Sequence, residues 1–170
     1  RLVAAPEESV RALAAFLEGY PTAAYRQLAV IDARGGKARH SGAKTLGRHA
    51  EAEGEHCLAL GNLLANEEVP RAMVAGFEAD RGESLADHLI AAMQAALEAG
   101  GEEGPVHSAG LVMVEKVPWP VADLRVDWSE GDPIAELAGL WELWRPQLRD
   151  YVTRALDPST APAYGVAGDA

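Results

Sequence analysis

The segment Asp123-Leu124-Arg125-Val126-Asp127 gathers the residues best suited to chemistry. In a strand, side chains alternate between faces, so Asp123, Arg125 and Asp127 share one face while Leu124, Val126 and Trp128 take the other. Two carboxylates flanking a guanidinium could fix a polar ligand or orient a catalytic amine. The same alternation also makes the solvated face of an antiparallel sheet, where ion pairs contribute little. Gly61-Asn62 closes an apolar stretch, and Asn62 can offer a donor and an acceptor to an amide or an oxyanion. It equally suits a turn, because Asn tolerates the left-handed region. His107-Ser108 sets a base beside a hydroxyl, although neighbours in a strand diverge and cannot pair with each other. Trp119, Trp128, Trp141 and Trp144 could stack on a ligand. Trp141 and Trp144, three apart on an apolar helical stripe, read first as core or interface.

The histidines, His40, His49, His56, His88 and His107, form no HExxH, and the chain has no CxxC or CxxH, so neither a metal nor another cofactor is expected. Cys57 is the single cysteine, which excludes an intramolecular disulfide framework. Nothing near it marks an electropositive pocket, so it reads as a small core residue. GxSxG, P-loop and strand-borne GxGxxG motifs are all missing.

These residues need elements to hold them. Glu7 to Glu18 reads as a helix with acidic residues in its first turn and Val10, Leu13, Phe16 and Leu17 at helical spacing. Tyr25 to Asp32 reads as a strand, Arg34-Gly35-Gly36 as a turn, and Lys37 to Ser41 as the returning strand. Residues 42 to 55 read as a loop or ragged edge, and His56 to Leu64 as a short buried strand. Helices follow at Glu67 to Ala79, facing inward with Val69, Met73, Val74 and Phe77, and at Ser84 to Ala99, with Leu85, Leu89, Ile90, Met93 and Leu97 as its stripe. Ser84 and Asp87 suggest a capping box, and the break at Asp80 to Glu83 is short. Val106 to Lys116 is the strongest strand, returned through Pro118-Trp119-Pro120 by Val121 to Trp128. Asp132-Pro133 starts a helix striped by Ile134, Leu137, Leu140, Trp141 and Trp144. Pro146 breaks it, Gln147 to Leu156 continues as a helix, and 157–170 reads as a Pro/Gly/Ala-rich arm or partner strap. Hairpin strands between blocks of helices argue for one α+β domain over 1–156 with mainly antiparallel sheets.

The composition is that of a globular chain: 170 residues, 48% hydrophobic and 24% charged. With 15 Lys and Arg against 26 Asp and Glu, the net charge is −11, which disfavours nucleic acid and anionic membrane surfaces as partners. No apolar run approaches the roughly 18 residues of a membrane span. The opening RLVAAPEES is neither a signal nor a transit peptide; a cytoplasmic location is expected.

The segments YRQLAVID, GNLLAN, EEGPVHSAGLVMVE, the PWP turn, DLRVDW, DPIAEL and YVTRALDP occur in an order that resembles domain-of-unknown-function family 1028. This is a bacterial group placed among proteins with the Ntn-hydrolase-like fold. The resemblance runs from about Tyr25 to Ala170. It implies a four-layer αββα sandwich of antiparallel sheets covered by helices. Enzymes of that wider fold cleave amides with an N-terminal Thr, Ser or Cys whose own α-amine serves as base; such an amine titrates near neutral pH. Members carry a further N-terminal stretch that supplies the first strands and any nucleophile. The present chain opens at Arg1, so the resemblance implies a sandwich incomplete at its N-terminus with an exposed sheet edge. The positions matching family motifs are Arg26, Gln27, Gly61, Asn62, His107, Ser108, Asp123, Arg125 and Asp127. The roles expected are Asn62 as amide or oxyanion donor, Arg125 as anion clamp, and Asp123 and Asp127 as orienters. Two functions remain open: an Ntn-type hydrolase of a small amide or peptide-like substrate, and a non-catalytic binding or homo-oligomeric assembly module.

Overall fold

A computed structural model describes residues 7–79 and 84–165. The chain forms two compact units, Arg1–Val106 and His107–Ala170. The expected break at 80–83 and the last five residues of the expected tail lie outside the described residues.

The first unit opens with α1 (Glu7–Glu18) and a hairpin of β1 (Gln27–Ile31) and β2 (Lys37–Ser41). The strands pair antiparallel, from Gln27 opposite Ser41 to Ile31 opposite Lys37. Gly35 supplies the positive φ, +87°, that the turn needs. Asp32 closes the turn by accepting from the backbone N–H of Arg34 and Gly36 at 2.8 and 2.9 Å. The buried Ser9 hydroxyl donates to its other oxygen at 2.6 Å. One carboxylate therefore shapes the hairpin and fastens α1 to it.

The segment expected as a loop or ragged edge contains a strand. β3 (Ala50–Glu53) pairs antiparallel with β4 (Leu58–Gly61), the paired part of the expected 56–64 strand. AEAE has low strand propensity, and its tertiary partners override it. Arg39 on β2 donates to Glu51 at 2.9 Å and also to Glu53. Ser41 donates to Glu51 at 2.9 Å, and Lys37 lies 3.4 Å from Glu53. Three alternate residues of β2 thus hold both glutamates of β3.

Two helices follow, α2 (Val69–Glu78) and α3 (Leu85–Glu98). Pro70 is buried in the first turn of α2, where its missing N–H has no helical partner to lose. Ser84 and Asp87 form the expected capping box. The buried face of α3 is Ala86, Ile90, Ala91 and Ala92, whereas Leu85 and Leu97 of the expected stripe are exposed. The reason is close approach: a Cβ on Gly76 of α2 would come 2.7 Å from the Ala95 Cβ and 2.8 Å from the Ala91 carbonyl oxygen. Large side chains do not fit between backbones that near.

The second unit has the hairpin β5 (Ala109–Val114) and β6 (Pro120–Val126), then α4 (Pro133–Trp144), a 3-10 turn over Arg145–Gln147 and α5 (Leu148–Leu156). The strong strand is shorter than its sequence suggests, and His107 and Ser108 precede it. α4 packs on both strands, and Leu111, Met113, Val121, Ala122 and Val126 of the hairpin are buried, as are Ile134, Leu137 and Trp141 of α4. The Asp132 carboxylate caps α4 by accepting from Ile134 and Ala135 N–H, both at 2.9 Å. Trp144 Nε1 donates to the Val121 carbonyl at 3.0 Å, which ties the far end of α4 to β6. Leu140, placed in the core by its spacing, is exposed. The tail folds back on α5: the Arg154 guanidinium sits 3.7 Å from the centre of the Tyr164 ring. The architecture is α+β with antiparallel strand pairs.

Candidate functional site

The hairpin brings Arg125 and Asp127 to the mouth of a groove between the end of β6 and one face of α4. Glu136, Gly139, Leu140 and Leu143, at helical spacing, line the α4 side. Arg125, Val126, Asp127 and Trp128 line the other, around a shallow, open volume of about 780 Å³. Trp128 is 66% exposed and Leu143 68% exposed, so the walls offer apolar surface that the chain leaves uncovered.

Trp128 is held from behind. Its ring stacks on His107 with centroids 4.1 Å apart and planes 7° from parallel. Its Nε1 donates to Glu130 at 2.8 Å. His107 Nδ1 lies 2.8 Å from the Ser129 carbonyl oxygen, so that nitrogen carries the proton. Ser129 N–H returns a bond to the His107 carbonyl at 2.7 Å. The buried Ser129 hydroxyl donates to Glu136 and accepts from Gly131 N–H at 2.9 Å. The imidazole is therefore a support for the indole plane.

Arg125 donates to Asp127 at 3.1 Å, and both are exposed. That hydrogen bond and the Asp127 charge, with a further contribution from Asp123, raise the affinity of the guanidinium for its proton. A guanidinium engaged by its own neighbour presents a donor edge next to an acceptor edge. Asp127 and then Asp123 act on this guanidinium, Glu136 lies in the groove lining, and Glu130 accepts from the indole N–H of Trp128.

Of the other expected site residues, Ser108 is exposed just ahead of β5, and Arg26, Gln27, Gly61 and Asn62 lie in the first unit. Arg26 follows a 3-10 turn and its carbonyl accepts from Gly42 N–H at 2.9 Å. Hydrogen bonds from Thr22 and then Arg26 lower the Tyr20 phenol below its usual range. Gln27 donates from Nε2 to the Ser41 hydroxyl at 3.1 Å and to the Ala50 carbonyl at 3.4 Å, joining the network that holds β3. Asn62 donates to the Leu46 carbonyl at 3.3 Å. Gly61 leaves room for Leu64, whose Cδ2 would lie 2.7 Å from an added Cβ. Leu63, next in line, has φ +54°, a conformation a leucine rarely adopts. The structure thus brings Arg125 and Asp127 to one groove, with His107 stacked on its Trp128 and Asp123 on the same strand face, while Asn62 and Gln27 serve local links.

A second depression, of about 680 Å³, is lined by Glu53, Gly54, Glu55, His56, Phe77, Glu78 and His88. His88 Nδ1 donates to the Phe77 carbonyl at 2.7 Å and the Glu78 carboxylate accepts from Glu55 N–H at 2.5 Å. Burial, then the Glu78 charge, pushes the nearby Cys57 thiol up, toward its protonated form. Among the described residues, no three His, Cys, Asp or Glu side chains are placed to hold a metal ion, and no helix is long and apolar enough to cross a membrane. Sequence reasoning missed Gly139, Leu143 and Glu130. The available signal was a glycine and a second leucine on the α4 face opposite the Leu137 stripe.

None of the curated proteins matches the chain. Among solved structures, it is similar to the crystal structure of protein SPO2555 from Silicibacter pomeroyi, itself assigned to family DUF1028. The TM-score is 0.70 and the identity 26%, over 86% of this chain and 65% of that one. The present chain therefore spans less than two thirds of that protein's length. The model of DUF1028, a family of unknown function, matches residues 1–137. The match includes the N-terminal helix and stops within α4, whereas the family-like motifs run from Tyr25 to Ala170. The chain belongs to family DUF1028.

Proposed function

We propose that this chain carries the substrate groove of an amide hydrolase of the N-terminal-nucleophile type, with the groove between β6 and α4 seating a small amide or peptide-like molecule. One observation carries the reading: Arg125 and Asp127 lie 3.1 Å apart at a groove walled by an exposed, braced Trp128. An amide has a carbonyl acceptor and an N–H donor, and a guanidinium beside a carboxylate offers the complementary pair. The indole supplies the flat apolar surface on which the rest of such a ligand would lie. In the first unit α1 contacts β1 and β2, β1 contacts β4, and α2 contacts β3 and β4, a sequence of neighbours compatible with αββα layering.

The reading requires a Thr, Ser or Cys with a free α-amine at the head of the mature protein. The test is N-terminal sequencing of protein made from the complete reading frame, followed by ammonia release from a panel of primary amides. Release that is lost when the N-terminal nucleophile is replaced by Ala, and reduced at least tenfold by Trp128→Ala, supports it. A mature chain with no such residue, or no release from any amide, refutes it.

A second reading, an assembly module, is favoured by Val112 and Val114, which are 59% and 67% exposed on β5. Such a face on a two-stranded sheet suits a further copy of the chain. Sedimentation separates the readings: Val112→Lys dissociates an assembly built on this face and leaves a groove enzyme unaffected.

A further inference from the structure

We infer that the groove between β6 and α4 selects a positively charged, amine-bearing amide, and that Gly139 is the residue that admits it. This rests on the groove being the ligand site proposed above and names its substrate class. Three observations converge. First, the charges around the groove are unbalanced: Arg125 is opposed by Asp127, with Asp123 also acting on it, while Glu136 lies in the lining and Glu130 holds the indole N–H. Carboxylates around a shallow, partly apolar site attract cations, and the chain as a whole carries −11. Second, Trp128 has one face on His107 and remains 66% exposed, and an indole face attracts a cation through its quadrupole. Third, Gly139 lies inside α4, where glycine is the costliest residue after proline. Among the described residues no atom needs its small size, because an added Cβ would meet nothing within 4 Å. Gly139 lines the groove beside Leu140 and Leu143. A ligand resting on the helix backbone accounts for the missing side chain. The occupant that fits is a peptide-like amide whose aliphatic stem lies over Gly139 and the two leucines, and whose ammonium sits against Trp128 and the carboxylates.

The test uses three Nα-acetylated amides at pH 7.5: those of lysine, norleucine and glutamic acid, of similar size and charge +1, 0 and −1. Binding is read from the indole N–H resonance of Trp128 in the full chain, assigned by its loss in Trp128→Phe. The lysine amide is expected to bind about fivefold or more tightly than the norleucine amide, with the glutamic acid amide weakest, the order set by Coulomb interactions at a partly exposed site. Asp127→Asn weakens lysine-amide binding, and Arg125→Gln weakens the norleucine amide more than the lysine amide, a charge-dependent split that a purely structural role would not produce. Gly139→Leu abolishes lysine-amide binding while circular dichroism and thermal unfolding show an intact fold. If the neutral or acidic amide binds as tightly as the basic one, charge selection is wrong while the groove reading stands. If no probe moves the Trp128 resonance, the groove reading fails and this inference with it. A Trp128 resonance that depends only on protein concentration would assign the face to a second copy of the chain and overturn the proposal.

Discussion

Gly76 and Gly139 both sit within helices, and replacing each by Ala should change stability in opposite directions. A helix-interior Gly→Ala change favours the folded state by up to about 1 kcal/mol through backbone entropy. At Gly139 nothing opposes that gain, since the new Cβ meets no atom within 4 Å, so Gly139→Ala should stabilise by about 0.5–1 kcal/mol. At Gly76 the Cβ would come 2.7 Å from the Ala95 Cβ, 2.8 Å from the Ala91 carbonyl oxygen and 3.3 Å from its carbon. Two of those atoms are backbone and cannot rotate away. Overpacking of this kind costs about 1–3 kcal/mol, which exceeds the propensity gain, so Gly76→Ala should destabilise by about 1–2 kcal/mol. Urea unfolding followed by far-ultraviolet circular dichroism reads both, with unchanged slopes marking a change of stability rather than of mechanism. Gly76→Ala matching or exceeding the parent would refute the close α2–α3 approach and the account of why α3 buries alanines.

Two further predictions concern the anchors of the first unit. Ser84→Ala removes the hydroxyl that accepts from Asp87 N–H at 3.3 Å, and should lower stability by about 1 kcal/mol in the same urea assay; adding Asp87→Ala should then cost less than it does alone, because the two side chains form one reciprocal cap. The Asp32 carboxyl is held below its ordinary value by the Ser9 hydroxyl first, then by the Gly36 and Arg34 N–H groups. Its contribution is complete above the unfolded carboxyl's titration, near pH 4, and is lost as pH falls through the lower folded value. Asp32→Asn should therefore flatten the acid limb of the stability profile below about pH 4; an unaltered limb contradicts the assignment.

Local signals in the chain were strong where one residue type has one conformational use. Arg34-Gly35-Gly36 marks the β1–β2 turn because Gly35 takes φ +87°, Asp132-Pro133 marks the start of α4, and Ser84 with Asp87 marks the start of α3. Elements set by distant partners were hidden. β3 exists because Lys37, Arg39 and Ser41 hold Glu51 and Glu53, and no window around AEAE contains that information. Periodicity places the leucines of α3 in the core because it reports a stripe but not how closely the next helix approaches. The alternation that sets Asp123 and Arg125 on one face was legible, and both are exposed as a solvated face requires. What alternation could not reveal is that α4 turns Gly139, Leu140 and Leu143 toward Trp128. Nor could adjacency of His107 and Ser108 reveal that the imidazole partners an indole 21 residues later.

The central claim, that an amide occupies the groove of the second unit, is tested most directly by a crystal structure of the protein with Nα-acetyl-lysinamide. The account predicts ligand density between Trp128 and Leu143, its amide within hydrogen-bond distance of Arg125 and Asp127 and its stem over Gly139. Ligand density elsewhere on the chain, or a groove filled by side chains that close it, would contradict the account.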